Sequence, residues 1–284
     1  MVDFIRQVAS AAVLNQAWSH VRKDKSRWTR DLSMQDVARD LPLHIGRISE
    51  DLLSGQYQPQ KVRCFEISKG DGSQRLICAP AVRDKLIQRA VLIVLEPLGE
   101  EKFHPHSFGY RPMCTLDMAL SCLREWVREG YIWLGDADIL QCFDHIPHAP
   151  VLEQIFALCG DQQIVNLLTA WMENIPPQHQ PFGAGYGLPQ GMVLSPFLCN
   201  IYLHDMDMDL HEQGIPCIRY ADDFIVLSQT ESGAWQALQA AANSLQRLQL
   251  QLHPEKTQVI RTSPHHRFLG KRLPKAKRPQ RIAG

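Results

Sequence analysis

"IRYADDFIVL" (residues 218–227) sets two adjacent carboxylates, Asp222 and Asp223, between hydrophobic runs of strand character. Ile218-Arg219-Tyr220 and Phe224-Ile225-Val226-Leu227 are good strand formers, so the stretch reads as a hairpin with the aspartates at its turn. Turn chemistry alone does not account for it, because short hairpins favour Asp-Gly or Asn-Gly and here a Phe follows the second Asp. Side-by-side like charges cost repulsion and desolvation unless they are solvated or meet a cation. The other reading is therefore part of a divalent-metal site whose remaining ligand lies elsewhere in the chain.

"DADILQCFD" (136–144) offers that ligand, with Asp136, Asp138 and Asp144 in a segment read as a strand. Residues two apart on a strand share a face, so Asp136 and Asp138 point together toward a neighbouring hairpin. Either one, joined to Asp222 and Asp223, makes an oxygen-only set that suits Mg²⁺. Two such ions, about 4 Å apart, would activate a 3′-hydroxyl and stabilise a departing pyrophosphate in an in-line displacement.

Around these segments the pattern is mixed. Residues 1–55 are patterned as helices, with Gly55 as a stop. "KVRCFEISKGDGSQRLICAP" (61–80) alternates like two strands about a turn at Gly70–Gly72, and "AVRDKLIQRAVLIVLEPLGEEKF" (81–103) reads as a buried helix. Helices are expected at 115–129, 149–174, 196–213 and 232–250. Strands are expected across "YIWLGDADILQCF" (131–143), in the 218–227 hairpin, and near 256–262 and 266–272. This order suits a layered α+β domain with antiparallel strands, not a doubly wound parallel sheet.

Composition narrows the class. With 284 residues and 45% hydrophobic composition, the chain can bury one large core or two modest ones. No apolar run approaches the roughly 20 residues of a membrane span, and "MVDFIRQVAS" lacks a signal-peptide core, so the expectation is a cytoplasmic protein with no membrane partner. The 8 cysteines form no CxxC pair and lie mostly in apolar segments, which favours buried thiols over zinc. The His pairs of "FHPHSF" and "SPHHRF" lack further ligands at metal spacing. Formal net charge is zero, but no acidic residue follows Glu255, whereas Lys256, Arg261, Arg267, Lys271, Arg272, Lys275, Lys277, Arg278 and Arg281 do. "HVRKDKSRWTR" (20–30) is a second basic stretch. A basic periphery around an acidic centre fits an enzyme that holds polyanions through metal ions.

The motifs together resemble reverse transcriptases of the group II intron-like lineage. "IRYADDFIVL" is similar to the YxDD box of that family and "DADILQCFDHI" to its partner aspartate motif. "SKGDGSQRLICAPAVRDKLIQRAV" resembles the fingers motif, "SFGYRP" the next block, and "GYGLPQGMVLSPFLCNIYL" the template-binding block. "LHPEKTQVI" resembles the lysine-bearing block and "FLGKRL" the primer grip. These seven blocks run in family order over about residues 60–273.

The resemblance implies a right-hand polymerase, with a helical extension at 1–57 and fingers at 58–130. A palm with an antiparallel sheet follows at 131–273, including a fingers insertion at about 150–185, and 274–284 form a basic tail. It implies RNA-directed DNA polymerisation with two Mg²⁺, for which Mn²⁺ can substitute, acting on an RNA template, a DNA or RNA primer and deoxynucleoside triphosphates. Carried over by motif, the metal ligands are Asp138, Asp222 and Asp223, and Asp138 is preferred to Asp136 because the aromatic Phe143 follows it at family spacing. Phe143 is then the steric gate against a 2′-hydroxyl, Lys69 and Arg75 hold the triphosphate, and Gln190 and Gly191 lie near the nascent base pair. Lys256 is a candidate general acid for pyrophosphate. Arg111, Leu269, Gly270 and Lys271 are candidate nucleic-acid contacts.

"GYIWLGDADILQCFDHI" and "GLPQGMVLSPFLCNIYLHDMD" are most similar to CRISPR-associated reverse transcriptases, whose family role is spacer acquisition from RNA with the CRISPR integrase. Retron and other defence-linked enzymes, or a group II intron-derived enzyme, are the alternatives. Diversity-generating retroelement enzymes usually depart from "LPQG". Two departures stand out. Leu140 replaces a basic residue that intron enzymes often carry two after the metal-binding Asp, and little chain follows "FLGKRL", so a thumb is expected to be absent or minimal. Duplex holding is then expected from a partner protein, from dimerisation or from a bound RNA. A reading of another class, a catalytically idle palm that binds nucleic acid, sits badly with intact carboxylates where a phosphate backbone would pass.

Overall fold

The computed structural model describes residues 3–68, 74–180 and 182–274. In chain order the elements are α1 (Phe4–Val8), α2 (Ala11–Val21), α3 (Met34–Arg39), α4 (Leu41–Leu53), β1 (Arg63–Ser68), β2 (Gln74–Ala79), α5 (Val82–Lys102), α6 (Leu116–Arg128) and β3 (Trp133–Asp138). They continue as α7 (Cys142–His145), α8 (His148–Cys159), α9 (Gln162–Glu173), α10 (Ser195–Glu212), β4 (Cys217–Tyr220), β5 (Asp223–Ser228), α11 (Glu231–Arg247), β6 (Gln258–Arg261), β7 (Arg267–Phe268) and β8 (Lys271–Arg272). No helix among the described residues is long and apolar enough to cross a membrane.

The chain divides into two compact units. The first comprises Met1–Lys102 and Phe143–Tyr202, the second Phe103–Cys142 and Leu203–Gly284.

Among its described residues, the first unit is helical apart from the β1–β2 hairpin. Helices α1, α2, α3 and α9 begin where polar caps satisfy otherwise unpaired N–H groups. Ser33 and Asp36 form a reciprocal capping box at α3, and the Asp161 side chain accepts from Gln163 N and Ile164 N at α9. Asp161 also accepts from Ile5 N (2.9 Å), which ties α1 to the start of α9. The expected single helix over 149–174 is broken here, because Gly160 takes the left-handed conformation (φ +65°) and Asp161 starts a new helix. Buried α5 carries Asp84, held by the Tyr57 hydroxyl (2.7 Å) and Gln60 N (2.9 Å), while Trp171 Nε1 donates to Tyr57 (2.9 Å). Burial pushes the Asp84 pKa up, and these hydrogen bonds oppose the shift.

The second unit is built on a four-stranded antiparallel sheet, ordered β4-β5-β3-β6, with α6, α11 and the separate β7–β8 hairpin. One face of β3 carries Leu134, Asp136 and Asp138, opposite Leu227, Ile225 and Asp223 of β5. At the Leu134 end this face packs into a core with Leu120 and Leu123 of α6, Phe108, Ile218 and Phe268. Toward Asp138 it becomes acidic. On the opposite face Gly135 lets α11 approach, since a Cβ there would lie 2.5 Å from Leu238 Cγ. The fold is α+β with an antiparallel sheet, as the sequence pattern indicates.

One boundary differs from expectation. The strand read through 131–143 stops at Asp138, and the chain turns at Gln141 (φ +45°) into α7, so Asp144 lies on a helix and not on the strand that carries Asp136 and Asp138. A left-handed residue without glycine gives no composition signal for this turn.

Candidate active site

The 218–227 stretch forms the expected hairpin, with Tyr220 paired to Asp223 and Ala221-Asp222 as the two-residue loop. Ala221 has φ +62°. A positive φ at the first central position belongs to a turn that ordinarily takes glycine there, so an Ala marks stored strand-to-turn strain. Three features hold this turn. The Arg219 side chain, fully buried, grips both Asp207 carboxylate oxygens (2.8 and 2.6 Å) and donates from Nη1 to Ala221 O (2.9 Å). Backbone bonds Phe108 N to Arg219 O (2.8 Å) and Arg219 N to His106 O (2.9 Å) lay the 106–108 segment beside β4. Gly109 then meets the turn so closely that a Cβ would fall 2.2 Å from Ala221 N.

Across the sheet Asp138 lies directly opposite Asp223. Residues so paired in antiparallel strands have Cβ atoms roughly 5 Å apart on one face. Asp222 follows in the adjoining loop. Burial, then the charges of Asp222, Asp138 and Asp136, push the Asp223 pKa up to about 6, and Lys256 opposes the rise. Asp223 is solvent-exposed as a residue, at the edge where the other carboxylates gather. Burial also raises Asp136, to which Gln258 Nε2 donates (3.3 Å).

Lys256 forms a salt bridge with Asp138 Oδ2, and this hydrogen bond raises the lysine's own pKa. The loop before β6 aims it there: His253 N bonds Asp138 O (2.7 Å), and Lys256 N bonds His253 O (3.2 Å). Asp138, Asp222, Asp223 and Lys256 are thus gathered within one unit. Among the described residues, no three His, Cys, Asp or Glu side chains already stand in metal-holding geometry. The donor chemistry nevertheless fits a hard divalent cation: oxygen-only, clustered and carrying more negative charge than one lysine offsets.

The other residues singled out in the sequence are placed as follows. Arg75 is exposed on β2, and Lys69 lies outside the described residues, as do 275–284 of the basic tail. Gln190 O accepts from Cys78 N (2.7 Å), and Gly191 (φ +104°) sits where a Cβ would come 2.7 Å from Cys78 O. The "LPQG" loop is therefore docked backbone to backbone on the hairpin, which requires the glycine. Phe143 is half-buried in the same unit, its O accepting from Leu188 N (2.7 Å). Arg111 Nη1 bonds the carbonyls of His104 (2.9 Å) and Ser107 (2.6 Å) in its own loop. Leu269 (φ +51°) and Gly270 (φ +75°) form the tight turn of the β7–β8 hairpin, with Lys271 exposed beside it.

Sequence reasoning missed Arg219, Asp207 and Gly109, which shape the turn without belonging to the carboxylate set. The available signal was an arginine between two strand apolar residues, facing a surplus of acids at 205–212. It also missed a cleft lined by Arg27 and Arg30 from the first basic stretch together with Lys61 and Arg63, with no acidic residue among the described residues of its lining.

The chain matches the family described as reverse transcriptase (RNA-dependent DNA polymerase) over residues 67–273, and it belongs to that family. Protein YkfC of Escherichia coli K12 is 28% identical over 82% of this chain and 72% of its own length. The group II intron-encoded protein LtrA of Lactococcus lactis subsp. cremoris is 29% identical over 80% of this chain, which spans 49% of that relative. Among solved structures, the telomerase of Candida albicans in complex with a fragment of telomeric RNA superposes with a TM-score of 0.57 at 14% identity, covering 78% of this chain and 45% of that one, a likeness of fold.

Proposed function

We propose that the protein is an RNA-directed DNA polymerase that extends a DNA or RNA primer on an RNA template, with Asp138, Asp222 and Asp223 holding two Mg²⁺ ions. The observation that carries this reading is the register of the sheet, which sets Asp138 opposite Asp223 with Asp222 in the adjoining turn. Bound there, divalent cations would supply charge neutralisation at the attacking and leaving oxygens. The protein's own part is to fix the three carboxylates. The Arg219–Asp207 pair and the Gly109 contact hold Asp222 and Asp223, while β3 carries Asp138. Lys256, protonated and already at Asp138, is suited to give a proton to departing pyrophosphate.

The same proposal assigns Arg75 and Lys69 to the triphosphate, Phe143 to exclusion of the 2′-hydroxyl, and Gln190 and Gly191 to the nascent pair. Arg111, Leu269, Gly270 and Lys271 are assigned to nucleic acid. The partition is fingers at 58–130 and palm at 131–273, with a fingers insertion at about 150–185. The basic cleft of Arg27, Arg30, Lys61 and Arg63 supports polyanion binding. The finer reading is spacer acquisition beside a CRISPR integrase in the cytoplasm. It rests on the two phrases around Asp138 and Gln190, and an adjacent retron RNA gene in place of a CRISPR array would overturn it.

The test is primer extension on an RNA template with deoxynucleotides and Mg²⁺, comparing wild type with Asp222→Ala, Asp223→Ala. Extension by wild type and its loss in the double variant is expected. Undiminished extension by the variant would refute the carboxylate assignment.

A further inference from the structure

Cys64 of β1 and Cys78 of β2 stand directly opposite each other in the hairpin, with their sulfurs 2.9 Å apart. The pair is of the type without mutual backbone bonds, since Cys78 sends its N–H away to Gln190 O (2.7 Å). Such pairs bring Cα atoms to roughly 4.5 Å, which lies at the near edge of the separation a disulfide spans, about 4.4–6.8 Å. Cys64 is half-exposed and Cys78 is buried. An oxidant can therefore reach one sulfur while the other waits behind it.

We propose that Cys64 and Cys78 form a reversible disulfide when the protein meets a peroxide, making the hairpin an oxidation site. The Cys64 sulfur attacks a peroxide oxygen; the S–O bond forms, the O–O bond breaks, and one water leaves, giving a sulfenic acid. The Cys78 sulfur then attacks Cys64, the S–S bond forms, the S–O bond breaks, and the Cys78 proton leaves with the hydroxyl as a second water. Two thiols lose two electrons and the peroxide gains them. Burial, followed by the contact with Cys64, pushes the Cys78 thiol well up, so it stays protonated while the more exposed Cys64 meets the peroxide, and it is the adjacent position of its sulfur that carries the second step.

The bridge would lie three residues from Arg75 and on the backbone that Gln190 and Gly191 dock against. Oxidation would thus staple the hairpin at that docking point, and slowed nucleotide addition is the consequence; this last step rests on the polymerase reading.

The test oxidises the folded protein with hydrogen peroxide, alkylates remaining thiols, and maps peptides before and after dithiothreitol. Expected are the loss of 2 of the 8 thiols, a peptide linking Cys64 to Cys78, and full recovery on reduction, with Cys64→Ser forming no such link and showing no paired loss. Irreversible oxidation of Cys64 without a linked peptide, or equal thiol loss in Cys64→Ser, overturns the proposal. Primer extension is read in parallel. Bridged protein that extends at the reduced protein's rate overturns the regulatory consequence, whereas no extension by reduced protein counts against the polymerase reading and leaves the bridge to stand on the peptide map.

Discussion

Asp138 has two suitors. Lys256 holds its Oδ2, and a divalent cation needs the same oxygen. The lysine side chain is 60% exposed, so the pair is worth about 1 kcal/mol or less. A doubly charged ion facing three carboxylates outweighs that. Wild type is therefore expected to show a Mg²⁺- or Mn²⁺-dependent rise in melting temperature, Asp138→Asn and Asp222→Asn to lose it, and Lys256→Met to reach it at lower metal concentration. A full shift retained in Asp138→Asn would put the metal elsewhere. The carboxylates themselves were legible, because adjacent aspartates and a two-residue spacing mark a face and a charge conflict without any fold. Which lysine meets them was not legible from spacing, since Lys256 reaches Asp138 across 118 residues.

At the scale of elements, the β4–β5 turn depends on neighbours more than on its own residues. A Cβ on Gly109 would fall 2.2 Å from Ala221 N and 2.8 Å from Tyr220 C, backbone atoms that cannot swing aside. Gly109→Ala is expected to cost about 1–3 kcal/mol by overpacking and to lower extension further by displacing Asp222. Gly46→Ala, inside α4 with nothing within 4 Å of its Cβ, is the control. It should stabilise by up to about 1 kcal/mol and leave extension unchanged. Thermal melts and extension rates on both variants check the pair, and equal loss in both would remove any special role for Gly109. Helices expected at 115–129 and 232–250 are found as α6 and α11, where the structure adds the N-caps Thr115 and Thr230. The end of β3 was not legible, because Gln141 takes positive φ without glycine and apolar Ile139 and Leu140 continue the strand-like run.

Across the whole molecule, acid stability reports burial that composition hides. His104 donates or accepts at Nε2 with His211 Nδ1 (3.4 Å), and its Nδ1 accepts from His106 N (3.1 Å). Burial drives its pKa down to about 4, against Asp207 and together with His106, His211 and His204. At His104 the folded chain therefore binds fewer protons than the unfolded chain between pH 6.5 and about 4, and this group's contribution to stability is present above that window and lost as pH falls through it. His104→Gln should flatten the fall of melting temperature across the window. Asp84, raised by burial, acts with the opposite sign, so the comparison is between variant and wild type, not of absolute slopes. An unchanged slope would remove His104 from the account. The histidines read as loop residues in sequence because a single sequence shows neither burial nor neighbours. Alternation, turns and like-charge placement are local properties carried by residues a few positions apart, so the sequence by itself determined the α+β class, the hairpin and the acidic face of Asp136 and Asp138 beside the Asp222-Asp223 pair, while the preference for Asp138 came from the resemblance to the reverse transcriptase motif. Strand register, the Arg219–Asp207 clamp, the Gly109 approach, Lys256 at Asp138 and the Cys64–Cys78 contact were decided only by tertiary structure, because each depends on where the backbone brings residues that sequence spacing alone does not relate.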